Sequence, residues 1–244
     1  MPFRPPFIYG TVRASAGGGP ILTQADVLAW ADFEGNANQL ASGTDWLTQR
    51  DPNDAWRWTH PAGVNGSALN LNSSGVVQNP NVRHRKLGGA SEVAEGAFVL
   101  WCKATSTDTQ RVQIAQSLAI SNFTFQYTSI RTGNYSQVFQ LRNSAGSLST
   151  LSAGMDWSSF HMLAISWSGS EVNIWTDNSF RGTLPWDGTW HDGSANFAAG
   201  VETANNDNEI LVDCMTLLNK PLTQEIVDFL YASGAGRNYG EIPA

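Results

Sequence analysis

Several short stretches in the middle of the chain alternate between apolar and polar residues, which predicts β-strands. The clearest is 122–128, whose aromatic residues fall on alternate positions and would share one buried face. Shorter stretches at 111–114 and 137–141 follow the same pattern. No helical patterns of about 10–15 residues separate these stretches, so they favour antiparallel sheets over a parallel α/β fold.

A hairpin is predicted where the apolar pattern becomes continuous. Residues 160–167 are nearly all apolar, as expected for a strand that is covered on both faces. The Ser-Gly-Ser sequence at 168–170 then provides a tight turn, and 171–177 returns as the second strand of the hairpin.

The end of the chain predicts one short helix of about two to three turns. Pro221 interrupts the last strand, and Thr223 is a suitable N-cap because its hydroxyl can accept a hydrogen bond from the first turn. Gly234 is the expected stop. One apolar stripe would pack this helix on the sheets, formed by Ile226, Val227, Phe229 and Leu230.

Residues 1–20 differ from the rest and predict an extended Pro- and Gly-rich arm in front of a single domain at 21–244. Proline lacks an N–H donor, so this segment does not suit a central strand. Two interpretations remain open, an unstructured tail and an assembly arm that orders against a partner. The anchors of an assembly arm would be Phe3, Phe7, Ile8 and Tyr9.

Composition narrows the classes of partner. The formal net charge is −7, which disfavours nucleic acid, and charged residues make up only 14% of the chain. The chain shows no signal peptide and no apolar run of about 20 residues, so neither export by the usual signal nor membrane insertion is expected. Cys102 and Cys214 fit either two buried free thiols or a single disulfide.

Five stretches in order resemble the concanavalin A-like lectin/glucanase fold in its laminin-G-like branch. They are VLAWADFEG at 27–35, GSALNL at 66–71, GAFVLWCK at 96–103, the hairpin at 157–177, and the strand and helix start at 209–226. The resemblance implies a jelly roll of two antiparallel sheets. It does not imply one function, because the fold hosts glycan binders, glycosidases and adhesive modules.

Catalytic relatives with this fold carry an E-x-D-x-x-E pattern on one strand, and this chain has no such run. The nearest stretch is 171–177, which has the neutral residues Asn173 and Thr176 at key places. Glycoside hydrolysis needs two carboxylates that flank the scissile bond. We therefore expect no enzyme, and a glycoside hydrolase or lyase is the least favoured hypothesis. His161 is expected to be structural.

The resemblance also makes calcium possible, because many jelly-roll relatives hold one ion on loop and strand-end oxygens. No cofactor is otherwise expected. The alternative is that these carboxylates are ordinary solvated turn and strand-end groups. The candidate ligands are Asp32, Glu34, Asp207 and Asp213.

Ten tryptophans are many for this length, and several fall in predicted loops beside polar residues. Such rings can stack on a sugar or anchor a protein partner, and they can equally close the ends of a sandwich. The candidate glycan- or partner-binding residues are Trp56, Trp58, Trp186, Trp190 and His191.

Together these features predict a non-catalytic structural or interaction protein of a virion, of the capsid-decoration or tail-associated kind found in phages. Its arm would dock onto other virion chains, in many copies or as a homo-oligomer, after assembly in the host cytoplasm. The alternative is a carbohydrate-binding adhesin for host-surface glycan.

Overall fold

The computed structural model describes residues 21–32, 62–70, 85–87, 94–104, 111–117, 126–131, 138–142, 147–152, 158–188, 197–201 and 210–244. In these ranges the chain is an antiparallel β-sandwich with one short α-helix. The predicted arm at 1–20 lies outside them. No helix in these ranges is long and apolar enough to cross a membrane.

Thirteen strands run through the described residues. They are β1 Val27–Ala31, β2 Leu69–Asn70, β3 Arg85–Leu87, β4 Gly96–Ala104, β5 Arg111–Ser117, β6 Gln126–Arg131, β7 Val138–Arg142, β8 Leu148–Ser152, β9 His161–Ser168, β10 Glu171–Thr176, β11 Ser179–Pro185, β12 Phe197–Val201 and β13 Ile210–Leu218. The helix α1 is Gln224–Tyr231, and short 3-10 turns cover Gln24–Asp26, Ala232–Gly234 and Tyr239–Glu241.

The strands form two sheets. The seven-stranded sheet has the order β1-β13-β4-β9-β10-β11, and β2 pairs with β13 on the same edge as β1. The six-stranded sheet has the order β3-β12-β5-β6-β7-β8. The two sheets approach each other where Gly182 of β11 lies against Leu151 of β8. We call the face of the seven-stranded sheet that turns toward the other sheet its inner face, and the opposite one its outer face.

The outer face of the seven-stranded sheet carries an apolar layer of its own. Alternate residues of the central strands point there, among them Trp101 of β4 and Met162 of β9. Helix α1 covers them with Ile226, Val227 and Leu230 of the predicted stripe, whereas Phe229, the fourth residue of that stripe, is only partly buried. Because both faces of this sheet are apolar, β9 is buried along most of its length, as the sequence indicated. The covering side chains from the helix and its flanks are Leu222, Ile226, Val227, Leu230 and Ile242.

Helix α1 begins as predicted and ends earlier. The Thr223 hydroxyl accepts a hydrogen bond from the Ile226 N–H at 3.4 Å, which confirms the N-cap. The helix stops at Tyr231, because Ala232 and Ser233 adopt left-handed conformations with φ of 47° and 57° before Gly234 is reached. The left-handed residue that ends the helix is Ala232, two positions before the predicted stop at Gly234.

The C-terminal segment 232–244 folds back and closes one end of the outer layer. The Arg237 side chain donates from Nε to the Phe229 carbonyl at 2.7 Å and lies over the Phe229 ring. The Gln24 N–H donates to the Pro243 carbonyl at 2.7 Å, and the Gln24 side chain donates to the Ile242 carbonyl. The first described turn and the end of the chain are thus held together.

Four strands that the sequence predicts are present in the structure. The predicted strands at 111–114, 137–141, 160–167 and 171–177 correspond to β5, β7, β9 and β10. The alternating stretch 122–128 overlaps β6 only from Gln126, and its first four residues lie outside the described ranges.

Cys102 and Cys214 are both buried free thiols, which decides between the two interpretations that the sequence left open.

We expect Gly182→Ala to lower the free energy of unfolding by about 1–3 kcal/mol. Gly182 has φ of 148°, which side chains rarely adopt, and an added Cβ would lie 3.1 Å from Leu151 Cδ1. Urea denaturation measures the change. Gly240→Ala is the control, because nothing lies within 4 Å of its added Cβ and it should change stability by less than about 0.5 kcal/mol. Equal effects of the two substitutions would contradict the close approach of β11 to β8.

Candidate functional site

Of the residues that the sequence suggested for glycan or partner binding, the structure describes Trp186. It follows β11, its N–H donates to the Ser170 carbonyl at 2.7 Å, and its side chain is only 4% exposed. In this position the ring closes the end of the hairpin and offers little surface for stacking. Outside the described residues lie Trp56, Trp58, Trp190 and His191, as do the arm residues Phe3, Phe7, Ile8 and Tyr9.

Asp213 is a fully buried carboxylate on the outer face of the central strand β13. Its Oδ2 accepts hydrogen bonds from the Val64 N–H at 2.9 Å and the Asn65 N–H at 3.1 Å. Its Oδ1 accepts from the Cys214 N–H at 2.8 Å, where a bulge gives Cys214 a φ of 45°. Asp213 therefore fixes both the turn at 63–66 and the bulge in its own strand.

Burial raises the pKa of Asp213 from 3.8 to about 6. The hydrogen bonds from Asn65, Cys214 and Val64 lower the pKa and offset part of that effect. Desolvation wins because the charged form loses its contact with water on every side, whereas the neutral form loses little.

Asp32 is the second buried carboxylate, 6% exposed at the end of β1. It accepts hydrogen bonds from the Trp30 indole N–H and from the Tyr239 N–H, the latter at 3.2 and 3.3 Å to its two oxygens. The Tyr239 ring also lies 6.1 Å from the Trp30 ring. Asp32 therefore attaches the C-terminal segment to the first strand.

These two carboxylates do not form a calcium site with the residues that the structure describes. Calcium takes about six to eight oxygen ligands, whereas Asp32 and Asp213 each accept N–H donors. Within the described ranges, no three His, Cys, Asp or Glu side chains come together in a group that could hold a metal ion. The other two candidate ligands, Glu34 and Asp207, lie outside those ranges.

His161 and Asp177 form a hydrogen-bonded pair at the start of β9. The His161 Nδ1 lies 2.9 Å from an Asp177 carboxylate oxygen, and the other oxygen accepts from the Met162 N–H at 3.1 Å. Asp177 sits in the β10–β11 turn with φ of 55°, so the pair ties this turn to β9. This contact agrees with the structural role expected for His161.

Two groups beside this pair have altered acidity. Burial raises the pKa of the Cys102 thiol well above its usual value, and the charge of Asp177 adds to the effect. The same two causes, burial first, raise the pKa of Tyr231. The Tyr231 ring stacks on Trp101, with ring centroids 5.5 Å apart. Both groups thus stay protonated near neutral pH, which makes neither a ready nucleophile.

The outer face is uncovered along the β10–β11 hairpin. Register places three residue pairs on this face, namely Glu171 with Pro185, Asn173 with Thr183, and Trp175 with Phe180. We call these six residues the hairpin row. Five are partly or fully exposed and Trp175 is buried, because helix α1 packs beside it.

Phe180 is the exposed large hydrophobic side chain of the described residues, with 52% of its surface accessible. Its ring centroid lies 5.2 Å from that of Trp175 at an angle of 58°, so it rests on a buried neighbour. The Trp175 indole N–H donates to Gln224 Oε1 at 3.3 Å, and Gln224 Nε2 donates to the Asn178 carbonyl at 2.7 Å. Phe180 and Trp175 together form what we call the ring platform, and these hydrogen bonds attach it to both the helix and the β10–β11 turn.

The next pair along the row is polar and uncharged. The Thr183 hydroxyl donates to Asn173 Oδ1 at 2.6 Å. In the described part of the chain neither side chain makes another hydrogen bond, and Asn173 is partly exposed while Thr183 is exposed. An exposed ring and neighbouring neutral hydrogen-bonding groups therefore lie on one rigid surface.

The sequence signal for this row was present and weak. The sequence predicts the β9–β10 hairpin but not the β10–β11 hairpin that carries the row, and it marks Asn173 only as a neutral residue in the nearest match to the catalytic pattern. Phe180 was missed, because β11 was not predicted as a strand and no alternation marked which face the ring would take. Only the register with Trp175 shows that Phe180 lies beyond the edge of the helix.

Solved structures show the same fold in known proteins. The binding domain of Paraclostridial Mosquitocidal Protein 1 matches with a TM-score of 0.65 and 10% identity over 86% of this chain and 53% of that one. The receptor binding domain of botulinum neurotoxin D matches with a TM-score of 0.65, 12% identity and the same coverages. The ligand binding domain of botulinum neurotoxin serotype D in complex with N-acetylneuraminic acid gives a TM-score of 0.63 at 12% identity, over 86% of this chain and 52% of that one.

These likenesses establish a jelly-roll-like, lectin-like β-sandwich. The chain spans about half the length of each of the three matched chains. No protein-family profile matches the chain, and no curated protein does. At 10–12% identity, the comparison speaks for the fold alone.

The free energy of unfolding of the wild-type chain minus that of the Asp213→Asn variant should fall as the pH rises from about 4 to about 7. The folded carboxyl has the higher pKa, about 6 against 3.8, so its stabilising contribution is complete below the lower value and is lost through the upper one. A shift of this size corresponds to roughly 3 kcal/mol at most. Urea denaturation across this range measures the difference. A difference that stays constant or grows with pH would contradict the burial of the charge.

Proposed function

We propose that the chain is a non-catalytic recognition module of the concanavalin A-like, laminin-G-like kind, which binds host-surface glycan. Its arm would dock it into a virion or tail assembly, so that the sandwich projects from the particle. The observation that carries the proposal is the shared architecture with receptor- and ligand-binding domains over 86% of the chain. One of these was solved in complex with N-acetylneuraminic acid, which supports a sugar as the class of ligand.

The arrangement of carboxylates supports recognition over hydrolysis. A glycosidase needs a carboxyl group whose proton can reach the glycosidic oxygen and a second one across the bond. Asp213 has a raised pKa, but it is fully buried and its oxygens face N–H donors. Asp32 is buried in the same manner beneath Tyr239. Neither group can reach a polysaccharide while the turn at 63–66 and the C-terminal segment stay in place.

The docking role of the arm rests on the sequence. Two of the fourteen basic side chains and none of the twenty-one acidic ones fall in residues 1–20, so the arm is cationic and the rest strongly anionic. The domain is well attached at the point where the arm would join it. Lys220 Nζ donates to the Ile21 carbonyl at 3.1 Å and lies 3.5 Å from an Asp26 carboxylate oxygen. This contact attaches the first described residue to the bend that follows β13.

The full chain should bind a subset of immobilised glycans and should not cleave them. A glycan array that holds neutral oligosaccharides and oligosaccharides capped with N-acetylneuraminic acid measures binding. A reducing-end assay after incubation with the bound glycan measures cleavage. Release of new reducing ends would replace the proposed function with glycosidase activity, and a completely negative array would remove the glycan.

Removal of residues 1–19 should leave the thermal unfolding of the domain unchanged and should abolish its incorporation into the assembled particle. The copy number per purified particle measures incorporation. A full-length variant with Phe7→Ser and Tyr9→Ser is the matched control, because it keeps the reach of the arm and removes two anchors. If the shortened chain still assembles at the normal copy number, the arm is not the docking element.

A further inference from the structure

We propose that the hairpin row is the glycan-binding surface and that its ligand is a neutral oligosaccharide. The proposal rests on the glycan-binding function above and names the site for it. The row lies on paired strands at the uncovered margin of the outer face.

The ring platform has the geometry that sugar stacking needs. A pyranose ring presents a face of C–H groups, and these pack on an exposed aromatic face through dispersion and the ring quadrupole. Phe180 exposes about half of its surface, and Trp175 supports it from below at 5.2 Å. Because the ring is already held in place, stacking costs little side-chain entropy.

The polar pair lies where the hydroxyls of a stacked sugar would project. Asn173 and Thr183 are paired across the hairpin two residues along β10 from the Trp175–Phe180 pair, a step of roughly 7 Å. The Asn173 amide supplies N–H donors, and the Thr183 oxygen supplies acceptor lone pairs. The full row of three pairs covers about 13 Å, which exceeds the length of one pyranose ring.

Charge selects a neutral sugar over an acidic one. One member of the row, exposed Glu171 at its open end, is acidic, and Asp177 in the turn and Asp228, which accepts from Gln224 Nε2 at 2.9 Å, lie beside the row. The one cation of β11, exposed Arg181, donates from Nε to Thr176, whose side chain lies on the inner side of the sheet, so these three carboxylates outnumber it. A sialic acid carboxylate would therefore meet repulsion along this row.

Substitutions of Phe180 separate stacking from simple apolar contact. The probe is the neutral oligosaccharide that binds best on the array, titrated by calorimetry into the full chain. Phe180→Ala and Phe180→Leu should each weaken binding about tenfold or more, whereas Phe180→Trp should retain it. Thermal unfolding is measured for each variant, and all three should remain folded at the titration temperature because Phe180 lies at the margin of the outer face.

Isosteric changes test the polar pair. Asn173→Asp should abolish measurable binding, because it removes the donors and adds a charge, and Thr183→Val should weaken binding severalfold. Ser179→Ala is the matched control on the same strand, since exposed Ser179 lies outside the row, and it should bind as the wild-type chain does.

The outcomes distinguish the site from the function. A negative array overturns both proposals. Binding that survives Phe180→Ala and Asn173→Asp leaves the glycan-binding function standing and overturns this site. Binding that requires a terminal N-acetylneuraminic acid overturns the neutral ligand, because the row then lacks the cation that such a sugar demands. Loss with Phe180→Ala and retention with Phe180→Trp support the proposal.

Discussion

The seven-stranded sheet is apolar on both faces, and it can remain in water only if something other than the second sheet covers its outer face. Helix α1 and the segment 232–244 provide that cover over the central strands. The burial of Trp30 and Trp101 depends on it, since the helix and the tail lie on the side away from the six-stranded sheet. The two buried carboxylates fit the same constraint, because each attaches a covering segment, the turn at 63–66 or the tail, to a strand.

This cover stops at β10, and the stopping point explains why a recognition surface can exist there. Eight residues of helix reach Trp175 and no farther, so Trp175 is buried while its cross-strand partner Phe180 is half exposed. A ring at this margin has a fixed base and an open face. Surfaces on paired strands are already ordered before a ligand arrives, whereas a loop tryptophan must first be held in place.

Local patterns predicted the parts of the fold that depend on local physics. The hairpin of β9 and β10 follows from an apolar run and a glycine turn, and the N-cap at Thr223 follows from hydroxyl chemistry. The functions of Asp32 and Asp213 could not be predicted in this manner. Their partners, Tyr239 and Val64, lie 207 and 149 residues away in the sequence. The local sequence around a strand-end carboxylate therefore does not distinguish one that binds calcium from one that accepts N–H groups. The exposure of Phe180 likewise depends on cross-strand register and on where a distant helix ends.

The same distribution of groups fits the proposed recognition function. Catalysis of glycosidic cleavage requires carboxyl groups that exchange protons with the substrate, which places them at the surface of a cleft. Here the carboxyl with the raised pKa is fully buried under a turn, and Asp177 accepts from the Met162 N–H with one oxygen and contacts the His161 ring with the other. The accessible groups next to the exposed ring in the row include the Asn173 amide and the Thr183 hydroxyl. Such groups form and release hydrogen bonds without exchanging a proton near neutral pH, and they suit a ligand that is rich in hydroxyls and carries no charge.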